Sequence, residues 1–214
     1  MKERRKRILY YVLGTIFLGF LVLTTLVLLF PNSWLDREFS EEVQEHQYVW
    51  LDTLMRVISM PGNLPYSIIM VLAVSAVFLR YQRKRESLFI IFTFVSGIIS
   101  HVLKIIIDRP RPTDGVVRII EIAKHQSFPS GHVLFYVVFF GFVIVLMRYL
   151  KFIRRQARIT IASISMFFIF SIPFSRIYLG AHWFTDVLGG FLLGILVLSA
   201  LSYFYLRKPN PSEL

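Results

Sequence analysis

Long apolar runs alternate along the chain with short polar segments, most of them basic. The run over residues 9–30 follows Lys2, Arg4, Arg5, Lys6 and Arg7. It exceeds the roughly 20 residues a helix needs to cross a bilayer. No small-x-small cleavage site follows it, so the pattern predicts an uncleaved first span. Comparable runs at 64–79, 87–107, 132–147, 159–174 and 183–205 predict five more. Between the first two runs, segment 31–47 carries Asp36, Glu38, Glu41, Glu42 and Glu45 and reads as an outward-facing loop. Residues 48–60 are amphipathic and too short to cross, so they are expected at the interface until Pro61-Gly62-Asn63 breaks them.

Basic residues orient this pattern. Arg80, Arg83, Lys84 and Arg85 join the second and third runs, Arg148, Lys151, Arg154, Arg155 and Arg158 join the fourth and fifth, and Arg207 and Lys208 follow the sixth. Under the positive-inside rule these segments and both termini are cytoplasmic. Sixteen of the 24 Lys and Arg residues then lie inside. The eight outside are Arg37, Arg56, Lys104, Arg109, Arg111, Arg118, Lys124 and Arg176.

Composition agrees. Of the 214 residues 56% are hydrophobic and only 17% are charged, against roughly 25% in a soluble domain. With a mean hydropathy of +0.63 the chain reads as an all-α polytopic membrane bundle of six transmembrane helices. It has no internal repeat or long linker, so one membrane domain over 1–214 is expected. The net charge of +11 follows from topology and needs no nucleic-acid partner. The absence of cysteine excludes disulfides, thiolate catalysis, zinc ribbons and iron–sulfur ligation. Midspan charge is nearly absent, which argues against a transporter. Gly190 and Gly194 permit close helix packing, and oligomeric state stays open.

Three polar groups fall on the expected outer side. Lys104 ends the third run, with Arg111 held between Pro110 and Pro112. Pro129-Ser130-Gly131 turns into the run beginning at His132, offering free N–H groups at a helix N-terminus. Ser175 and Arg176 precede His182 by seven and six residues, and Asp186 follows four later; on a helix that spacing shares a face. Singly, each group has an ordinary explanation: snorkelling cations, a serine cap, a His–Asp pair at a helix start. Together they supply cations, N–H groups, two imidazoles and a carboxylate, an inventory suited to phosphoryl transfer. Asp108, Asp114, Glu121 and Asp186 are too scattered to form a magnesium site, and the inventory requires no metal or other cofactor. His101, one turn before Lys104, reads as a core histidine, and Lys124 and His125 read as solvated loop residues.

The three groups resemble the motifs K-x6-R-P, P-S-G-H and S-R-x5-H-x3-D of the type 2 phosphatidic acid phosphatase superfamily, complete in residues, spacing and order within 104–186. The resemblance implies a membrane phosphatase in which His182 forms a phosphohistidine, Asp186 orients it and His132 protonates the leaving alcohol. It implies that Lys104, Arg111, Ser130, Gly131 and Arg176 hold the phosphate, and that vanadate inhibits. The family's soluble haloperoxidase branch does not fit six spans. The implied substrate is a membrane lipid phosphate or pyrophosphate, such as undecaprenyl pyrophosphate, phosphatidylglycerophosphate, phosphatidic acid or a lipid A phosphate, met at the extracytoplasmic face of the cytoplasmic membrane. A phosphotransferase using the same phosphohistidine, or a non-catalytic lipid-phosphate binder, is the alternative.

Overall fold

The computed structural model describes residues 2–31 and 33–207. The expected inner cation Lys208 and the Pro-containing tail lie outside the described residues. The described residues form α1 (Lys2–Leu29), α2 (Trp34–Val43), α3 (Val49–Ser59), α4 (Tyr66–Arg80), α5 (Lys84–Phe92), α6 (Val95–Ile107), α7 (Gly131–Tyr149), α8 (Arg155–Tyr178) and α9 (Phe184–Arg207). A 3-10 turn at Met60–Gly62 joins α3 towards α4, and no strand occurs among the described residues.

Five segments are long and apolar enough to span a bilayer: Glu3–Leu29, Lys84–Ile107, Gly131–Tyr149, Arg155–Tyr178 and Phe184–Arg207. Val49–Gly62 and Tyr66–Arg80 make a sixth when taken together as one element bent by 56°. The 15 residues of α4 alone extend only about 22 Å. The third span, expected as one helix, is broken between α5 and α6. There Thr93 and Ser96 donate their hydroxyls to the carbonyls of Ile90 and Thr93, at 2.6 and 2.7 Å, and compete with the backbone ladder.

α7 is apolar around its circumference and is accordingly the buried centre, with Val133 through Val143, Leu146 and Met147 all enclosed. α8 and α9 pack on it. The α9 backbone approaches closely because of the two glycines noted in the sequence. A Cβ at Gly194 would lie 2.7 Å from Val137 Cβ, and one at Gly190 would lie 2.6 Å from the Ser130 carbonyl. α1 sits at the rim, packing Phe20, Leu23 and Val27 towards Ile107 and Phe128, while Tyr11, Leu18 and Leu29 face outward as lipid-facing residues do.

The acidic segment expected as a loop contains α2. Ser33 caps its start: Ser33 Oγ accepts the Asp36 N–H at 3.2 Å while its hydroxyl donates to Asp36 Oδ2 at 2.8 Å. The polar stretch 108–130 has no regular helix and lies across the ends of α7, α8 and α9. Ile120 and Glu121 donate backbone N–H groups to Leu179 O, both at 3.1 Å, and Ser127 donates to Arg109 O at 2.9 Å. This crossing requires a glycine at position 180, whose φ is +67° and whose Cβ would collide with the Arg118 carbonyl.

Candidate functional site

A cavity of about 1060 Å³ opens where α6 ends and α7 begins, bounded also by the last turn of α8 and the turn before α9. Lys104, Arg111, Gly131, His132, Arg176 and His182 all line it, so residues from the three sequence groups meet in one place. The remaining two, Ser130 and Asp186, are fully buried and joined by a 3.0 Å bond from the Ser130 N–H to Asp186 O.

Lys104 and Arg111 are aimed by backbone carbonyls, and Arg176 by side chains. Lys104 Nζ donates to Gln126 O at 2.5 Å and Ser127 O at 3.1 Å. Arg111 donates to the carbonyls of His125 at 2.6 Å, Gln126 at 3.2 Å and Ala181, and its Nη1 stands 3.4 Å from His182 Nε2. Burial and the facing Arg176 pull Arg111 down to about 10, which leaves it charged at neutral pH. Arg176 donates from Nη1 to Ser59 Oγ at 2.5 Å and Glu121 Oε1 at 3.0 Å. Its buried Nε, like Ser130 Oγ, has no partner. Ser130 occupies the N-cap position of α7 without a side-chain cap bond, so the first N–H groups of α7 remain available for an anion, while its own hydroxyl is buried beneath the cavity wall.

His182 lies in the turn before α9 rather than on the helix, correcting the one-face reading of the His182–Asp186 spacing. Asp186, in the first turn of α9, reaches back to accept the Trp183 N–H at 2.8 Å. The same Oδ2 accepts the Ser127 hydroxyl and faces His182 Nδ1 at 3.5 Å. Burial, then the charges of Arg111, Lys104 and Arg176, hold the His182 imidazole well below its usual 6.5, with a bond at Ser127 opposing them. The ring is therefore neutral at pH 7. With Nδ1 turned to Ser127 and Asp186, its proton belongs there and the lone pair on Nε2 faces Arg111. His132 Nε2 pairs with Asn63 Oδ1 at 2.7 Å, bringing the turn after α3 into the site.

Sequence reasoning missed the support of Asp186. Arg109 is only 2% exposed, and all five of its donors are used. Nη1 bonds Asp186 Oδ1 at 2.5 Å and Thr185 Oγ1 at 2.7 Å, Nη2 bonds Asp36 Oδ2 at 2.6 Å and Pro31 O at 2.9 Å, and Nε bonds Pro31 O at 3.1 Å. Asp36 Oδ1 in turn accepts the Thr185 N–H at 2.8 Å. Thus α2, expected as solvated acid, supplies a buried carboxylate to the network. The Ser-x-x-Asp pattern at 33–36 was the available signal for its helix start. His101, expected in a core, is exposed on the cavity wall with its ring centroid 6.4 Å from that of His125. Lys124 lines the same wall. Among the described residues no three His, Asp or Glu side chains converge as metal ligands.

Comparison with known proteins agrees with this architecture. The model of the PAP2 superfamily matches residues 85–209. The chain is 27% identical over 185 residues to phosphatidylglycerophosphatase B of Bacillus subtilis (strain 168), covering 86% of this chain and 89% of that one. Its structure is similar to the crystal structure of the transmembrane PAP2 type phosphatidylglycerolphosphate phosphatase from Bacillus subtilis. That match has a TM-score of 0.82 at 25% identity over 94% of this chain and 99% of the other. Aquifex aeolicus LpxE shares the fold at a TM-score of 0.61 and 22% identity, over 83% and 98% of the two chains.

Proposed function

Because the chain belongs to the PAP2 superfamily, we propose that it removes phosphate from a membrane lipid through a phosphohistidine at His182. It is a membrane phosphatase of PAP2 type, all-helical and multi-pass, acting on a lipid phosphate. The observation carrying the finer reading is the shared cavity, where Lys104, Arg111, Arg176, His132 and His182 converge at the ends of spanning helices. A lipid can keep its chains in the bilayer and present only its phosphate there. The resemblance to phosphatidylglycerophosphatase B favours a phosphatidylglycerophosphate-like monoester as substrate. The charge pattern favours an extracytoplasmic site with both termini cytoplasmic.

In this mechanism Lys104, Arg111, Arg176 and the N–H groups of Gly131 and the α7 first turn neutralise the phosphoryl oxygens. His182 Nε2 attacks phosphorus in line as the bond to the leaving alcohol oxygen breaks, and His132 gives that oxygen a proton. Water then attacks the phosphohistidine, His132 takes its proton, and inorganic phosphate leaves with His182 restored. Asp186 and Ser127 hold the Nδ1 side of the nucleophile, and Arg109 with Asp36 positions Asp186.

The test is phosphate release by detergent-purified protein in EDTA from phosphatidylglycerophosphate, phosphatidic acid, undecaprenyl pyrophosphate and lipid A. Release is expected to survive chelation and to be fastest from a glycerophospholipid monoester. Loss of release on chelation would refute the metal-independent route. Transfer to an added acceptor alcohol without free phosphate would establish the phosphotransferase instead.

A bell-shaped pH dependence of kcat/KM is also expected, since attack needs neutral His182 and leaving-group departure needs protonated His132. The depressed pKa of His182 puts the acid limb below pH 6.5. Stability has the same sign: the unfolded chain takes up this proton as pH falls through about 6.5 while the folded chain does not. The His182 contribution is therefore fully present above that pH and declines below it. A rate flat from pH 5 to 9 contradicts paired histidine chemistry.

A further inference from the structure

A separate cavity of about 370 Å³ lies at the opposite end of α7 and α8, where the two helices are joined. α7, 19 residues and about 28 Å long, carries the catalytic cavity at its start and this one at its end, a length close to the thickness of a bilayer core. Arg148, Lys151, Arg155 and Arg158 line it over an apolar floor that includes Ile144 and Met147 of α7 and Ile159 of α8.

The positive-inside rule accounts for cations in this loop, but cations serving only that rule extend their heads into water. Arg158 does not. Its Nη1 turns back to the Met147 carbonyl at 3.4 Å, and its Nε is buried without a partner. Among the described residues no carboxylate forms an ion pair with any of the four cations. α8 also begins here, and its N-cap residue Arg154 makes no side-chain cap bond, leaving the first N–H groups of a 24-residue helix unpaired by a cap. Four uncompensated cations, an uncapped helix start and an apolar floor define an anionic head joined to a hydrocarbon tail. A free phosphate would leave the floor uncovered.

We propose that this cavity binds one anionic phospholipid from the leaflet opposite the catalytic cavity. Its phosphate sits among Arg148, Lys151, Arg155, Arg158 and the start of α8, and an acyl chain lies along Ile144, Met147 and Ile159. The site is distinct from the catalytic cavity and does not depend on the phosphohistidine reaction.

The test is native mass spectrometry of the delipidated full chain re-equilibrated with phosphatidylglycerol or phosphatidylcholine. The wild type is expected to retain one phosphatidylglycerol at least tenfold more tightly than phosphatidylcholine. The triple variant Lys151→Gln, Arg155→Gln, Arg158→Gln loses that lipid, while Arg111→Gln in the catalytic cavity keeps it. Phosphate release by the triple variant in detergent should stay within about twofold of wild type. Equal retention by wild type and triple variant, equal retention of both lipids, or complete displacement of the lipid by millimolar inorganic phosphate would overturn the proposal. Hydrogen exchange of the wild type in nanodiscs tests it without substitution. Residues 148–158 are expected to exchange more slowly in phosphatidylglycerol than in phosphatidylcholine, and identical exchange would also overturn it.

Discussion

His182→Ala is expected to reduce phosphate release by at least about 10⁴-fold, as loss of a covalent nucleophile does elsewhere. The ring is buried, so its removal should lower thermal unfolding modestly while the helices stay formed. By contrast, Arg111→Ala or Arg176→Ala removes one charge from several that stabilise the transition state, costing about 2–4 kcal/mol, roughly 30- to 1000-fold in rate. A short reaction of wild type with phosphate-labelled lipid, quenched in alkali, should retain label on the protein. That label should be acid-labile and absent from the alanine variant. Turnover by His182→Ala comparable to wild type would rule out the covalent mechanism, whatever the lipid preference.

The parts of this site nearest the sequence surface are those that proline and glycine punctuate. Lys104 to Pro112, Pro129 to His132 and Ser175 to Asp186 each sit beside an apolar run, so span boundaries and site residues were found together. The apolar runs also gave the helices, because a bilayer allows little besides helix for such segments. Hidden from the sequence were contacts between residues far apart. Arg109 lies two residues from Arg111, and nothing local distinguishes the cation that turns into the protein from the one that faces the cavity. Its partners Asp36 and Asp186 stand 73 and 77 positions away. The acidity of segment 31–47 read as solvation because composition averages over residues, whereas burial picks out Asp36 alone at 1% exposure. The His182–Asp186 spacing fitted a helix face, yet a turn followed by an N-terminal carboxylate meets the same spacing with a different geometry.

Arg109→Met is expected to be the most damaging substitution outside the cavity. The wild-type guanidinium lies between two buried carboxylates and bonds both, at 2.5 and 2.6 Å. A methionine of similar length fills the space but leaves Asp36 and Asp186 without their countercharge, which costs about 3–5 kcal/mol for a buried pair broken on one side. Lysine rescues it only in part, since an ammonium restores the charge but has three donors and cannot reproduce the five bonds to Pro31, Asp36, Thr185 and Asp186. Thermal unfolding of Arg109→Met should drop markedly, and Arg109→Lys should recover only part of the loss. Asp36→Asn keeps the acceptor towards Thr185 while removing one charge, so it should be milder than Arg109→Met. Combined with Arg109→Met, it should cost less than the sum of the two single losses, because the second substitution removes one of the carboxylates stranded by the first. Strict additivity would mean that Asp36 and Arg109 act independently, and α2 would then have no part in positioning Asp186.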